Sequence, residues 1–353
     1  MNVHNLIDLY TDYLLVCVQQ ATATGLSQML NHELSHDKIT RLLSSGEINS
    51  KTLWEQVKPL CHEIRGNQGV LILDDSIEEK RYTDCNEIIQ YHFDHTVGRS
   101  VKGVNFISAL YHSNDMSLPV AAEVIRKEKV LDSKNNKYVY KNIETKNELY
   151  RSMVKKASQN VRFEYVLNDT WFSSSENMNF IVKECKSHFI MALKENRKVA
   201  LTLADKQEGR YVSIKSLKLE ECTLSVYVEQ LDFPLLICKQ VFKNGDGSTG
   251  TLYLASDDVN LTWKQITTIY KKRWKVETYH KSIKSNAAFA KSPTHTPVTQ
   301  ISHFIASIMA FVKLEWLQVR NQQNHFAMKN QIMIKACKAA YQELKQLSTP
   351  MAA

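Results

Sequence analysis

The sequence predicts an α/β fold, and two apolar runs that end in acids are the main reason. Residues 70–73 form a short continuous apolar run followed by Asp74 and Asp75, as expected of a strand buried on both faces. Residues 163–168 are a second run of strand length, followed by Asp169. Segments with helical periodicity alternate with these and further strand-like runs, which favours a sheet covered by helices.

Composition and cysteine usage exclude several classes of protein. The chain has 353 residues, of which 43% are hydrophobic and 23% charged, values close to those of folded soluble proteins. Its seven cysteines are odd in number and widely spaced, so neither a disulfide framework nor a cysteine-based zinc site is indicated. We therefore expect any bound metal to be held by carboxylates.

Hydropathy predicts a cytoplasmic protein with no membrane partner. The longest apolar run, residues 304–312, is much shorter than the ~20 residues that cross a bilayer. The first residues lack the basic and apolar regions of a signal peptide. The net charge is +8, and mild basicity alone is weak support for a nucleic-acid partner, so the location of the charge matters more.

The chain is predicted to contain four segments. They are an N-terminal helical domain that binds DNA, the first part of the α/β core, a β-rich insertion, and a final segment of helices, over residues 1–66, 67–198, 199–254 and 255–353. In the first segment, short helices that begin near Ser35 and Ser50 resemble a helix-turn-helix, although plain helix packing is equally open.

Basic charge concentrates on one predicted helix of the last segment. The helix begins at a capping box, Thr262-x-x-Gln265, and runs through Lys284. Residues 270–291 contain seven Lys or Arg side chains against one acid, Glu277. A single carboxylate in a basic stripe is unusual, because a solvated helix face normally mixes its charges.

Two interpretations of Glu277 are open. In one, it forms ion pairs with Arg273 and Lys281 on a surface helix. In the other, DNA phosphates lie along the stripe and Glu277 reaches a metal ion at the scissile phosphate. At about 100° per residue the stripe occupies an arc of roughly 60°. Its members are Tyr270, Arg273, Glu277 and Lys284, with Lys281 at the edge.

The second interpretation needs partner carboxylates, and the two predicted strand ends supply them. Asp75 (or Asp74) and Asp169 follow apolar strands, where an open α/β sheet places its ligands. With Glu277 they form a ligand set for two Mg²⁺ ions ~3.5–4 Å apart. Such ions activate a water or a 3′-hydroxyl and stabilise the leaving oxygen. We therefore expect no protein nucleophile and no small-molecule cofactor.

The same residues match the signature of a known family. A Y-x2-R-x3-E-x6-K pattern begins at Tyr270, and the blocks around Asp75 and Asp169 precede it in order. In these features the chain resembles DDE transposases of the insertion sequence 4 type, over about residues 65–320. The resemblance implies an RNase H-like mixed sheet flanked by helices, with a β-rich insertion in the 108 positions between Asp169 and Glu277.

The resemblance also implies a role for each matching residue. Asp75, Asp169 and Glu277 are expected to be the catalytic metal ligands for Mg²⁺, with Mn²⁺ as a substitute and two ions once DNA is bound. Asp75 is preferred over Asp74 because the first of the three acids in this family is followed by Ser or Thr, and Ser76 follows Asp75. The expected DNA contacts are Tyr270, Arg273, Trp274, Lys281 and Lys284.

The expected function is that of a DNA transposase of a bacterial insertion sequence. It would bind the terminal inverted repeats of double-stranded DNA, cleave there, and join the freed ends to target DNA. Because two ends must meet, a homodimer is expected in the synaptic complex, associated with the nucleoid. The resemblance alone implies a hairpin intermediate. The alternatives are a structure-selective metal-dependent nuclease on the same core, and a DNA-binding repressor descended from a transposase, which does not need the three acids.

Overall fold

A mixed β-sheet and a group of helices make up the protein. The computed structural model describes residues 2–66, 68–94, 97–133, 135–243 and 245–348. The chain divides into a sheet unit, residues 57–277, and a helical unit, which takes the described residues up to 56 and from 278 onward. The division into four segments predicted from the sequence stays a prediction.

The secondary structure alternates as the sequence pattern indicates. The helices are α1 (Val3–Val16), α2 (Ala23–Met29), α3 (His36–Ser44), α4 (Ser50–Glu63), α5 (Lys146–Asn160), α6 (Ser175–Lys183), α7 (Leu203–Gln207), α8 (Trp263–Lys271), α9 (Trp274–Asn286), α10 (Pro297–Asn321) and α11 (His325–Leu347). The strands are β1 (Val70–Glu79), β2 (Ile89–Asp94), β3 (Arg99–Ser113), β4 (Met116–Val124), β5 (Lys127–Asp132), β6 (Lys137–Asn142), β7 (Tyr165–Asn168), β8 (His188–Leu193), β9 (Lys198–Val199), β10 (Val212–Ser213), β11 (Thr223–Val226), β12 (Leu235–Lys243) and β13 (Thr249–Ser256).

The main sheet of the sheet unit is mixed. Its strand order is β11-β12-β13-β8-β7-β1-β3-β2, and β4 also pairs with β3. β1 is antiparallel to β3 but parallel to β7, which in turn is parallel to β8. Helices α5 and α6 pack against these central strands. The prediction of an α/β fold, with a mixed sheet flanked by helices, is confirmed.

β1 carries two acids past the point where its neighbour stops. Residues 70–73 are buried, as expected of a central apolar strand. The parallel pairing with β7 ends at Ile72, whereas the antiparallel pairing with β3 continues to Glu79. The sequence suggested that this strand ends at its acids, but β1 continues past them to Glu79. Asp74 and Asp75 instead lie in β1 just beyond its last residue paired with β7.

The segment predicted to be a β-rich insertion joins the main sheet. It contains β10 to β13, but the short helix α7 and a 3₁₀ turn at Ile214–Ser216 interrupt the strands. β12 pairs with β13, and β13 pairs antiparallel with β8. This part of the chain therefore widens the sheet that carries β1 and β7.

The long helix predicted from Thr262 is two helices. The capping box of Thr262 and Gln265 is present and opens α8. Around Lys272 and Arg273 the backbone changes to i→i−3 hydrogen bonds, including Arg273 N–H to the Tyr270 carbonyl at 2.9 Å, before α9 begins. The two helices are therefore joined by a tightened turn and not by continuous α-helix.

The helical unit has α10 at its centre. α10 packs against α1, α3 and α11, and the Tyr10 hydroxyl lies 2.9 Å from Nδ1 of His303 in the buried interior. Lys291 and Lys329 donate from Nζ to backbone carbonyls at the end of α1, which satisfies groups that the helix leaves unpaired.

α10 is long and apolar enough to cross a membrane by length and composition. However, 78% of its most apolar 18-residue window is buried inside the protein. A helix that is apolar on most sides and covered by neighbouring helices is the usual core of an all-helical unit.

Candidate active site

Four carboxylates of the sheet unit gather near the end of β7. Asp74 and Asp75 lie on β1, Asp169 follows β7 directly, and Glu277 is in the first turn of α9. The carboxylate oxygens of Asp74 and Glu277 approach within 4.8 Å of each other. The structure thus brings together acids that are far apart in the sequence, from within β1, from the end of β7 and from the first turn of α9.

Arg273 joins two of these acids. Its guanidinium donates to Asp74 Oδ2 at 3.2 Å and to Glu277 Oε1 at 3.3 Å. The side chains of Arg273 and Asp74 are only 17% and 13% exposed, whereas that of Glu277 is 41% exposed. One cation therefore bridges a strand carboxylate and a helix carboxylate in a partly dehydrated site.

Asp75 has a different partner from Asp74. Successive side chains of a strand point to opposite faces, and Asp75 Oδ2 lies 2.6 Å from Nζ of Lys146 in the first turn of α5. The same ammonium lies 4.9 Å from the ring centre of Trp171. Asp74 is the acid bonded to Arg273 and close to Glu277, and the sequence-based preference for Asp75 over Asp74 stays a prediction.

Asp169 is held by its own loop and by the strand end beneath it. Its Oδ1 accepts the backbone N–H of Trp171 at 2.9 Å. The preceding Asn168 accepts hydrogen bonds from Tyr150 at its side-chain oxygen (2.8 Å) and from Tyr270 at its carbonyl (3.1 Å). Two buried tyrosines thus fix the position from which Asp169 leaves the sheet.

The pKa of Asp74 reflects its burial and the negative charge concentrated around it. The pKa of Asp74 is raised to about 8, mainly by burial and also by the nearby charges of Asp169, Glu277 and Asp75, while Arg273 opposes the rise. Burial is also the main reason that the pKa of Asp169 is raised. The cluster therefore has more negative charge than Arg273 neutralises.

This donor set fits a divalent cation. Carboxylate oxygens are the ligands that Mg²⁺ and Mn²⁺ prefer, and a bound cation would favour the ionised forms that burial now disfavours. Asp74, Asp169 and Glu277 are the residues that would hold it.

A His-Glu-x-x-His sequence at residues 32–36 does not form a second metal site of the helical zinc type. That motif needs both imidazoles on one helix face. Here His32 has a left-handed backbone conformation with φ of 63°, and α3 begins only at His36. The two rings therefore lack the helical spacing that the motif requires.

The predicted DNA contacts fall into three environments. Tyr270 is buried with its hydroxyl bonded to Asn168, and Arg273 is bonded to two carboxylates. Trp274 is 67% exposed. Lys281 and Lys284 lie further along α9, where Lys281 is exposed with its ammonium 5.3 Å from the ring centre of Phe326. Trp274, Lys281 and Lys284 are thus placed differently from Tyr270, which supports the strand end of β7.

Lys146 is the residue of this site that the sequence did not reveal. Its place at a helix start is marked by the capping box of Thr145 and Glu148. That local signal says nothing about a partner 71 positions away on β1. Only the pairing of strands and the packing of α5 bring Lys146 to Asp75.

Comparison with known proteins agrees with this site. A protein-family model described as DDE superfamily endonuclease matches residues 3–211, which is more than half of the chain. The chain belongs to this family. The match includes Asp74, Asp75 and Asp169, and it ends before Glu277. No curated protein matches the sequence. Membership supports a nuclease or transposase-like activity on DNA that depends on a divalent metal.

Replacing Asp74 by Asn should stabilise the metal-free protein at alkaline pH. Because folded Asp74 keeps its proton up to about pH 8, compared with an ordinary pKa of 3.8, raising the pH through this range lowers the free energy of unfolding. Thermal melting in EDTA should show Asp74→Asn several degrees above wild type at pH 8, with a much smaller difference at pH 5, closer to the ordinary pKa. The exposed Asp84→Asn is the control and should follow wild type. A lower melting temperature for Asp74→Asn at pH 8 would show that the ion pair with Arg273 outweighs the crowding of acids.

Replacing Tyr270 by Phe should reduce stability and leave DNA affinity unchanged. The change removes a buried hydrogen bond to Asn168, which contributes about 1 kcal/mol. Denaturant unfolding and DNA titration of the same preparation measure both effects, with the fully exposed Tyr82→Phe as a control. Unchanged stability together with weaker DNA binding would support the phosphate contact predicted from the sequence.

Proposed function

We propose that the protein is a DNA transposase that cleaves at the terminal inverted repeats of its element and joins the freed ends to target DNA. The observation that carries the proposal is the cluster of Asp74, Asp169 and Glu277 with Arg273 in a chain of the DDE endonuclease family. The Y-x2-R-x3-E-x6-K pattern supports the insertion sequence 4 type within this family.

The strand order supports an RNase H-like core. The central strands run β4-β3-β1-β7-β8, antiparallel on one side of β1 and parallel on the other. This order places the first acid on the central strand and the second at the end of the adjacent parallel strand. β11 to β13 then extend the sheet before α8 and α9 carry the chain to Glu277.

The residues of the cluster have different roles. Asp74, Asp169 and Glu277 would hold Mg²⁺, or Mn²⁺ in its place, as two ions once DNA is bound. When bound, such ions lower the pKa of the attacking water or 3′-hydroxyl and stabilise the leaving oxygen. Arg273 holds Asp74 and Glu277 in register before DNA arrives, and its planar fork suits a phosphate oxygen pair as well as carboxylates. Asp75 and Lys146 form a separate ion pair beside the cluster.

The partner is double-stranded DNA, at the terminal repeats and at the target. Trp274 and Lys281 are exposed on α9, and with Lys284 they supply an aromatic face and positive charge for the DNA backbone. Joining two ends requires two active sites, so a homodimer forms in the synaptic complex. Transposition takes place in the cytoplasm of a prokaryote, at the nucleoid.

Removing any one of the three cluster acids should abolish cleavage. Asp74→Ala, Asp169→Ala and Glu277→Ala each remove a metal ligand, so cleavage with Mg²⁺ or Mn²⁺ should fall by at least about a thousandfold while DNA binding changes only a few-fold. The substrate is a DNA fragment that carries the sequences flanking the gene. Asp75→Ala is the matched variant on the same strand and should retain most activity. Activity in Asp74→Ala together with loss in Asp75→Ala would restore the preference based on the sequence.

The products of the same reactions separate transposition from hydrolysis. Joined products between the flanking ends and a second plasmid support a transposase. Nicked or linear products without joining, at any end concentration, would identify a nuclease. DNA binding with neither product, in wild type as well, would indicate a repressor.

Neutralising the basic residues of α9 should change the salt dependence of DNA binding. Lys281→Ala and Lys284→Ala should each flatten the slope of log affinity against log salt by roughly 0.9 on duplex DNA. Lys215→Ala, which removes a lysine already paired with Glu195 at 3.1 Å, should leave the slope as in wild type. If Lys281→Ala and Lys284→Ala both kept the wild-type slope, as Lys215→Ala should, the basic stripe would be only a solvated helix face.

A further inference from the structure

A cavity of about 340 Å³ opens beside the loop that carries Asp169. Thr170 and Trp171, the two residues after Asp169, form part of its wall. Three cations line it as well: Lys194 and Arg197 from the turn after β8, and Lys198 at the start of β9. No sequence motif marked these residues, and the proposed catalytic cluster does not use them.

The positive charge of this cavity is not neutralised by the protein. Among the described residues, no carboxylate lies within ion-pair distance of Lys194, Arg197 or Lys198. Glu195, the nearest acid along the chain, is paired with Lys215. Glu176, on the adjoining helix α6, is paired with Arg151. Three unneutralised cations around one cavity favour an anion.

Arg197 is already oriented for such an anion. Its guanidinium is half-buried and donates to the Ser175 hydroxyl in the first turn of α6. Burial without a counter-ion lowers the pKa of Arg197, and an anion would offset that cost. A guanidinium held in this way can present its remaining donors to phosphate as a fork.

An aromatic face accompanies the charge. Trp171 is 42% exposed, although its ring packs edge-on against Phe172 at 5.1 Å. This exposure leaves part of the Trp171 ring accessible to a base. Because its backbone N–H is bonded to Asp169, anything stacked on Trp171 is positioned relative to that acid.

We propose that this cavity binds one nucleotide of an unpaired DNA strand, with its phosphate at Lys194, Arg197 and Lys198 and its base on Trp171. The proposal rests on the proposed function, since it supplies a place for the strand end beside Asp169. The cavity volume of about 340 Å³ is sufficient for one nucleotide. Stacking on an aromatic ring combined with cations along the backbone is the general mode of single-strand recognition.

The test compares a fluorescent oligothymidylate with a hairpin duplex of the same charge, by anisotropy without metal. Trp171→Ala should weaken oligothymidylate binding roughly tenfold and hairpin binding less than twofold, and Trp171→Phe should restore most of the loss. Lys194→Ala, Arg197→Ala and Lys198→Ala should each flatten the salt slope on the single strand by roughly 0.7.

Two control variants match the changes. Tyr138→Ala removes an exposed aromatic ring that also has a lysine ammonium, Lys129, at 4.8 Å. Lys215→Ala removes a lysine paired with Glu195. Both should bind the oligothymidylate as wild type does, and melting curves of all variants exclude unfolding as the cause of any loss.

Each other outcome overturns the proposal. Equal losses on single strand and hairpin would mean a general phosphate surface, and unchanged slopes would remove the cations from the site. Displacement of the oligothymidylate by micromolar thymidine monophosphate would identify a site for a free nucleotide. Because binding is measured without metal, the result is independent of cleavage. Normal cleavage in Trp171→Ala with wild-type binding would reject this cavity alone, whereas a wild-type protein that cleaves no DNA would reject the proposed function.

Discussion

The contact of Arg273 with Asp74 and Glu277 is the constraint on which the candidate active site depends. It joins the central strand to the first turn of α9, across about 200 positions of sequence, and it places a cation where several acids converge. Without it, burial and mutual repulsion would raise the pKa of Asp74 further or separate the acids.

Much of the fold was predictable from the sequence because its signals are local. Two apolar runs ending in acids placed β1 and β7, and the capping box of Thr262 placed the start of α8. The order of acids along the chain was sufficient to suggest that they meet, because parallel neighbours bring their carboxyl ends to one edge. The family match over more than half of the chain agrees with that interpretation.

What the sequence could not predict depends on faces and on distant partners. Residues 70–73 are buried on both sides, so no alternation shows which of Asp74 and Asp75 points to the cluster. The break between α8 and α9 contains no glycine or proline that would signal it. The contacts of Lys146 and of the cations near Trp171 depend on packing between elements that are far apart in sequence, so no local sequence signal predicts them.

The location of the metal tests the account most directly. Crystals soaked in Mn²⁺ should give an anomalous peak bounded by oxygens of Asp74, Asp169 and Glu277, at roughly 2.0–2.6 Å as for hard cations bound to oxygen. Because cation and guanidinium compete for the same carboxylates, Arg273 should release at least one of its two contacts. A peak at Asp75 and Lys146 instead, or no peak near Asp74 at saturating Mn²⁺, would contradict the assignment of the catalytic acids.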